Sequence, residues 1–416
     1  MRITRQVYLT AILLMLPAAA TSAQTVGDPV VETTTEGLTL AQTVASVTRA
    51  AGATSVGEAL AFATALEIGT TPLPSTTASF VYAVDPSTGL RVRKATTFGP
   101  SFAERALTSG EGKVAAFVSL ISATYDRLGD FSLDRMQLGT ETAGSPTAAR
   151  RGLTSLVIQS DTVILSGVVG VTEALDLSVS VPMVRVQVEG LSWVEDGTGS
   201  VLLRAEGRGT SSGLGDIAVT GKYRLASFGE GPPDPGGIAL VGTMRLPTGE
   251  RESFRGLGMA RALGSIVVSQ GKGRFRPHAN VGFEFWEKGI DVVTDVDRAS
   301  TVTARHQVQY AAGVELEATP KVTLLVDVLG RHILGAGRVG LRAMEPLPSS
   351  PEAARGVTSV ESLVALDRGI SKLTLAPGVK VNLKGNLLLS LNAFVALRDN
   401  GLHDRFTPIV GLDWTF

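Results

Sequence analysis

The chemistry open to this chain is bounded first by its histidines, cysteines, serines and acids. His278, His306, His332 and His403 show no metal-ligand spacing and read as solvated loop or strand-end residues. With no cysteine anywhere, thiolate metal sites, cysteine nucleophiles and disulfides are excluded. There is no G-x-S-x-G elbow and no P-loop, and "GLGMARALG" fails the dinucleotide fingerprint at its third glycine. Serines are many, but none is marked as a nucleophile by its neighbours, so a lipid hydrolase built on a barrel wall is a distant alternative. Glu315 and Glu317 stand two apart, on one face of an extended chain, where wall charges are expected rather than an acid/base pair. No enzyme, cofactor or metal is expected.

What these residues share is a position in alternating segments. The closing "DRFTPIVGLDWTF" puts Phe406, Pro408, Val410, Leu412, Trp414 and Phe416 on one face. In "DIAVTGKYRL", Ile217, Val219, Tyr223 and Leu225 oppose Asp216, Thr220, Lys222 and Arg224. "QVQYAAGVELEA", "KLTLAPGVKVNL" and "LLLSLNAFVAL" repeat the pattern, which predicts strands at 112–124, 153–169, 174–189, 214–227, 237–247, 259–271, 274–287, 303–318, 320–334, 371–383, 386–399 and 404–416. One apolar face per strand, sustained over an even number of strands, is the pattern of an antiparallel transmembrane β-barrel. Connections alternate accordingly. Those near 170–173, 272–273, 319 and 384–385 are short, those at 125–152, 190–213, 248–258, 288–302 and 335–370 are long, and the "GEGPPDPGG" and "DNGLH" connections depart from the rule. In "LDLSVSVPMVRVQVEG" the apolar positions change parity after Met183, which predicts a β-bulge near Pro182–Val184.

The polar faces point Lys222, Arg224, Arg245, Glu284, Glu315, Glu317, Asp327, Arg331, Lys380 and Arg398 into the lumen as pore-lining candidates. Two readings stay open for them: a mixed-charge lining without strong ion preference, or a mutually neutralising filling that needs no solute. Trp286 and Trp414 fall near strand ends, where an aromatic girdle or core packing would place them.

Composition fits this architecture. Apolar residues make up 44%, charged residues 19%, and glycine numbers 47, greasy for a soluble enzyme yet without the long apolar runs of a helical membrane protein. The formal net charge of −1 argues against a nucleic-acid partner. "VYLTAILLMLPAAA" behind Arg2 and Arg5, followed by "TSAQ", reads as a signal peptide over 1–23, cleaved after Ala23. Residues 24–110 differ from the rest. An alanine-rich stretch predicts one or two short helices broken at Gly52 and Gly57, followed by a hairpin near 79–94 turning on Asp85-Pro86-Ser87-Thr88-Gly89. That segment either plugs the lumen from the periplasmic side or lies beneath it, unless the hairpin joins the wall and makes fourteen strands. The barrel itself is assigned to 111–416.

The stretches "FVYAVDPSTGLRVRKATTFGPSFAERALT", "GLGDIAVTGKYRL", "MRLPTGE" and "TPIVGLDWTF" carry a resemblance over roughly residues 75–416 to the outer-membrane transporters of the meta-pathway of phenol degradation. That family is similar to the fatty-acid and aromatic-hydrocarbon channel barrels. The resemblance implies a Gram-negative outer-membrane location and passive uptake of small hydrophobic or aromatic solutes. It also implies that Phe416 is a signal read by the barrel-assembly machinery. It transfers no catalytic or ligand-binding residue. The alternative is a structural or loop-presenting barrel that does not conduct.

Overall fold

The computed structural model describes residues 30–32, 37–51, 54–84, 89, 91–229, 235–295, 300–335 and 337–416. The expected signal peptide lies outside the described residues, as do Asp85, Pro86, Ser87 and Thr88 of the expected hairpin turn and most of "GEGPPDPGG". Twelve antiparallel strands close into a barrel. In chain order they are β1 (Val114–Tyr125), β2 (Arg150–Gly170), β3 (Leu175–Asp196), β4 (Ala218–Ser227), β5 (Gly236–Arg245), β6 (Arg261–Gln270), β7 (Phe275–Trp286), β8 (Ser300–Thr319), β9 (Val322–Gly335), β10 (Ile370–Lys384), β11 (Leu387–Asp399) and β12 (Phe406–Thr415). Each pairs with its neighbour in sequence, and β12 closes the ring on β1 from Ile409↔Ile121 to Thr415↔Ala115. Closure leaves no unpaired edge within the wall. Tyr82–Val84 and Arg91–Arg93 pair in a separate two-stranded sheet, so the hairpin does not join the wall.

The end that carries Phe416 is called lower here. The connections after β2, β6, β8 and β10 there are short; Gly385, between β10 and β11, sits at φ 56, a left-handed conformation that favours glycine. At the upper end the strands run on beyond the barrel proper. Val201–Leu214 pairs with the upper half of β3, from Val201↔Glu195 to Leu214↔Met183. Met136–Ala143 bridges β2 and Val357–Leu366, which pairs in turn with Arg338–Met344. Much of the expected outer loops is therefore strand, and the ladder satisfies the backbone groups there.

Alternation sets the faces. On β12, Val410, Leu412 and Trp414 are 43%, 45% and 55% exposed, whereas Thr407, Ile409 and Asp413 on the opposite face are buried. Strands β2 and β3 stay in register without a shift from Arg150↔Asp196 to Gly170↔Asp176, so the bulge expected near Pro182–Val184 is absent. Burial alternates unbroken through Pro182, and only the chemistry of the two faces is exchanged. Up to Met183, Leu177, Val179 and Met183 point outward while Asp176, Ser178 and Ser180 point inward. Above it, Arg185 and Gln187 point outward, and Val184, Val186 and Val188 are buried inside against the helices. The strand leaves its apolar belt there, and its inner face exchanges a polar lumen for a packed core.

That core is made with the N-terminal segment. Helix α1 (Leu40–Ala50) opens on a capping box between Thr39 and Gln42 and buries Leu40, Val44 and Val47. Helix α2 (Thr54–Gly69) buries Val56, Leu60 and Leu66 in the same cluster, each worth about 1.5–3 kcal/mol when fully buried. Gly57 does not break a helix as expected. It lies within α2 where α1 crosses, and a Cβ there would come within 2.7 Å of the Ala45 Cα. No helix among the described residues is long and apolar enough to cross a membrane.

Candidate functional site

The site is the barrel lumen, which residues 69–84 and 91–113 thread. The chain enters below α2, descends to Ser79 beside Asp413, and forms its hairpin where Ala78, Val81 and Ala95 pack on Ala115, Phe117 and Val168. It then rises to Phe102 and Glu104 and returns to Ser109 beside Asp176 before β1 begins. The helices thus occupy the upper end of the lumen, with the irregular chain below them.

Wall side chains hold this irregular chain by its backbone. Glu315 Oε2 accepts the Gly99 N–H at 2.9 Å, and Asp327 Oδ2 accepts those of Phe102 and Ala103 at 3.2 and 3.3 Å. Thr323 and Ser269 hydroxyls accept from Phe98 and Ala106, and Asp176 accepts from Ser109. The ammonium of Lys380 donates to the Pro100 carbonyl at 3.0 Å and faces Asp413 at 3.8 Å. Lys222 is buried between Glu104 and Thr77. A loop without regular structure has orphan N–H and C=O groups, and here the inward charges meet them.

Two ionic clusters lie higher. Arg261 donates to Asp216 at 2.9 Å, to Glu284 at 3.3 Å and to the Gly69 carbonyl at 2.8 Å; Glu284 also accepts from Trp286 Nε1 and Gln309 Nε2. Asp216 further accepts the N–H groups of Gly249 and Leu257, which fixes that upper connection. In the second cluster Glu67 of α2 meets Arg331 at 2.7 Å and also Lys372, which reaches Asp399 at 2.8 Å. Between the clusters and the anchored chain lies a chamber of about 190 Å³. Its lining mixes Leu73, Ile121 and Leu263 and the pair Phe102–Phe394, whose ring centroids are 4.5 Å apart, with Arg245, Arg331 and Lys372.

Of the expected lining residues, Lys222, Glu315, Asp327 and Lys380 converge on the threaded chain, while Glu284 and Arg331 sit in the upper clusters. Arg245 faces the chamber. Arg224 is half-buried and donates to the Gly236 carbonyl at 3.0 Å, and Glu317 is half-buried near the lower rim. Arg398 is exposed instead. A register shift opposite Leu373/Thr374 pairs Arg398 with the outward Leu373 and turns Asp399 toward Lys372. Trp414 and Phe416 point outward, rings 4.8 Å apart, whereas Trp286 is buried inside on Glu284. His278 is not a solvated residue: it is buried on Asp327 at 2.8 Å. Glu67, Glu104 and Arg261 were not singled out from sequence. Parity marks Arg261 as inward, but nothing local marks the two glutamates, which belong to the threaded segment and not to a strand.

At the lower rim, outside the wall strands, a 2.7 Å hydrogen bond from Lys94 holds the Glu173 carboxyl below the usual carboxylate range, and the Lys94 charge adds to the effect. Among the described residues no cluster of histidines and acids is arranged to hold a metal ion.

No family model matches the chain, and neither does any curated protein. Solved barrels do resemble its course. An outer-membrane channel from Pseudomonas putida F1 aligns with TM-score 0.44 and 12% identity, covering 75% of this chain and 98% of that one. A Pseudomonas aeruginosa FadL homologue aligns with TM-score 0.32 and 8% identity over 82% and 96% of the two chains. The P. putida toluene transporter TodX gives 0.31 and 11% over 73% and 90%.

Proposed function

We propose that this barrel stands in the bacterial outer membrane and acts as a channel for passive uptake of small hydrophobic or aromatic solutes, without cofactor or covalent chemistry. The observation that carries the reading is the chamber. A closed wall apolar on its outside encloses a space bounded by Leu73, Phe102, Phe394 and Leu263 beside fixed charges, room for a small ring and not for a polymer. The resemblance to phenol meta-pathway transporters points to the same class of solute. Export through a signal peptide, insertion by the barrel-assembly machinery at Phe416 and contact with lipid belong to this reading. So does an orientation with the lower end in the periplasm. The inward charges then serve the channel indirectly, by holding the threaded segment that bounds the chamber.

The test is uptake of the lipophilic dye N-phenylnaphthylamine by cells whose outer membrane contains the protein. Faster uptake than in matched cells without it is the expected result. An unchanged rate, with the protein verified in the outer membrane by fractionation and heat-modifiable mobility, would remove the channel and leave a barrel that only presents its upper strands.

A further inference from the structure

Arg245 ends β5 at the chamber. Across the ladder it faces Ala218 on one side and Arg261 on the other. Arg261 is committed to Asp216, Glu284 and the Gly69 carbonyl, and the other cations that line the chamber, Arg331 and Lys372, are committed to Glu67 and Asp399. Arg245 makes no hydrogen bond or ion pair among the described residues, and its Nε is buried without an acceptor. A guanidinium carries five N–H donors in a planar fork shaped for a carboxylate, and drawing it out of bulk water without an acceptor is unfavourable.

The plain structural reading is charge balance at a distance. Asp216 and Glu284 share Arg261, and their surplus negative charge offsets Arg245. That explains why the charge is tolerated. It supplies no acceptor to the fork, because both carboxylates are already engaged by Arg261, Trp286, Gln309 and two backbone N–H groups.

Resting on the uptake reading, we propose that Arg245 is a carboxylate-binding residue and that the chamber takes small apolar monocarboxylates. The acid group would lie on the Arg245 fork and the hydrocarbon body against Leu263, Phe102 and Phe394. Selectivity for a single negative charge follows from the lining itself, since Glu67, Asp399 and Asp404 also border the chamber and would repel a second.

The experiment is calorimetric titration of the full mature protein in detergent with benzoate and with the neutral benzyl alcohol, on the wild type, Arg245→Gln and Arg245→Lys, each first verified by heat-modifiable mobility. Benzoate should bind the wild type, and Arg245→Gln should weaken it about tenfold or more through loss of charge-assisted hydrogen bonds. Arg245→Lys should fall between, and benzyl alcohol should bind all three alike. Acetate, a carboxylate without the ring, should compete with benzoate and leave benzyl alcohol untouched, a comparison that needs no variant. Equal benzoate affinity in wild type and Arg245→Gln, or no competition by acetate, overturns the proposal. Binding of benzyl alcohol without benzoate overturns it while the uptake reading stands; binding of neither removes both.

Discussion

At the scale of single residues, the two faces of a strand answer to different solvents. Val410 lies midway along β12 between Leu120 and Leu391, all three exposed on the outer face. Val410→Arg is expected to cost about 2–4 kcal/mol if that face meets the bilayer midplane. Urea titration of the refolded barrel in lipid vesicles measures it, and a loss below 1 kcal/mol, the range found near the membrane interfaces, would place Val410 away from the midplane. Facing inward, Glu315 would tolerate amidation if it merely met water. Instead its carboxylate is buried, bonded to Gly99 and placed 3.6 Å from Arg105 and 3.8 Å from His278. Glu315→Gln removes the charge that compensates those groups and is expected to cost about 1–3 kcal/mol in the same titration. Glu173, at the rim, gives a pH signature. Its folded pKa is lowered by Lys94, so the pair stabilises the fold above the ordinary carboxylate value and the contribution is lost as pH falls through the lower folded value. The Glu111 amide, which donates to Glu173 at 3.3 Å, should lose hydrogen-exchange protection over that acid range in wild type and lack it at all pH values in Glu173→Ala.

Among elements, α2 combines packing with a local ionic tether. Glu67 joins it to β9 and β10 through Arg331 and Lys372. Glu67→Gln leaves Arg331 without a carboxylate while Lys372 keeps Asp399, and the lower end of α2 should loosen from the wall. Planar-bilayer recordings should then show a higher open probability than wild type, and identical traces would mean that apolar packing alone holds the helix. The strands themselves were legible because period-two alternation survives wherever one face is apolar. The same cue failed at Pro182, where parity of hydrophobicity was taken for parity of backbone. Inward residues there become apolar because α1 and α2 pack on them, a contact between elements more than a hundred residues apart in sequence. Register shifts such as those opposite Leu373/Thr374 and between Arg305 and Gln307 occur where hydrophobicity gives no warning, and the first is why parity points Arg398 and not Asp399 inward. The strand extensions above the belt were read as loops because both of their faces are polar or mixed.

Taken as a whole, the molecule is a wall and a filling that depend on each other unequally. In the lower half the wall is closed by continuous ladders from β1 to β12, and the threaded chain meets it mainly through side-chain bonds to backbone groups. Towards the upper end the wall's inner face is apolar, with Leu156, Ile158, Val184, Val186 and Val188 covered by the helices. Deleting residues 24–110 should therefore have two separable effects. The lower barrel should still close, because its ladder bonds and outward belt are untouched, so heat-modifiable mobility should persist. The upper extensions should lose their core and become accessible to protease, since burying those five side chains is worth about 1.5–3 kcal/mol each. Conductance should rise sharply, because Glu315, Asp327, Lys222 and Lys380 would then face water in an open lumen. Loss of the faster-migrating unheated band in the deletion would show instead that the filling is needed for the wall to close, and that the segment acts first as a folding core and only second as a barrier.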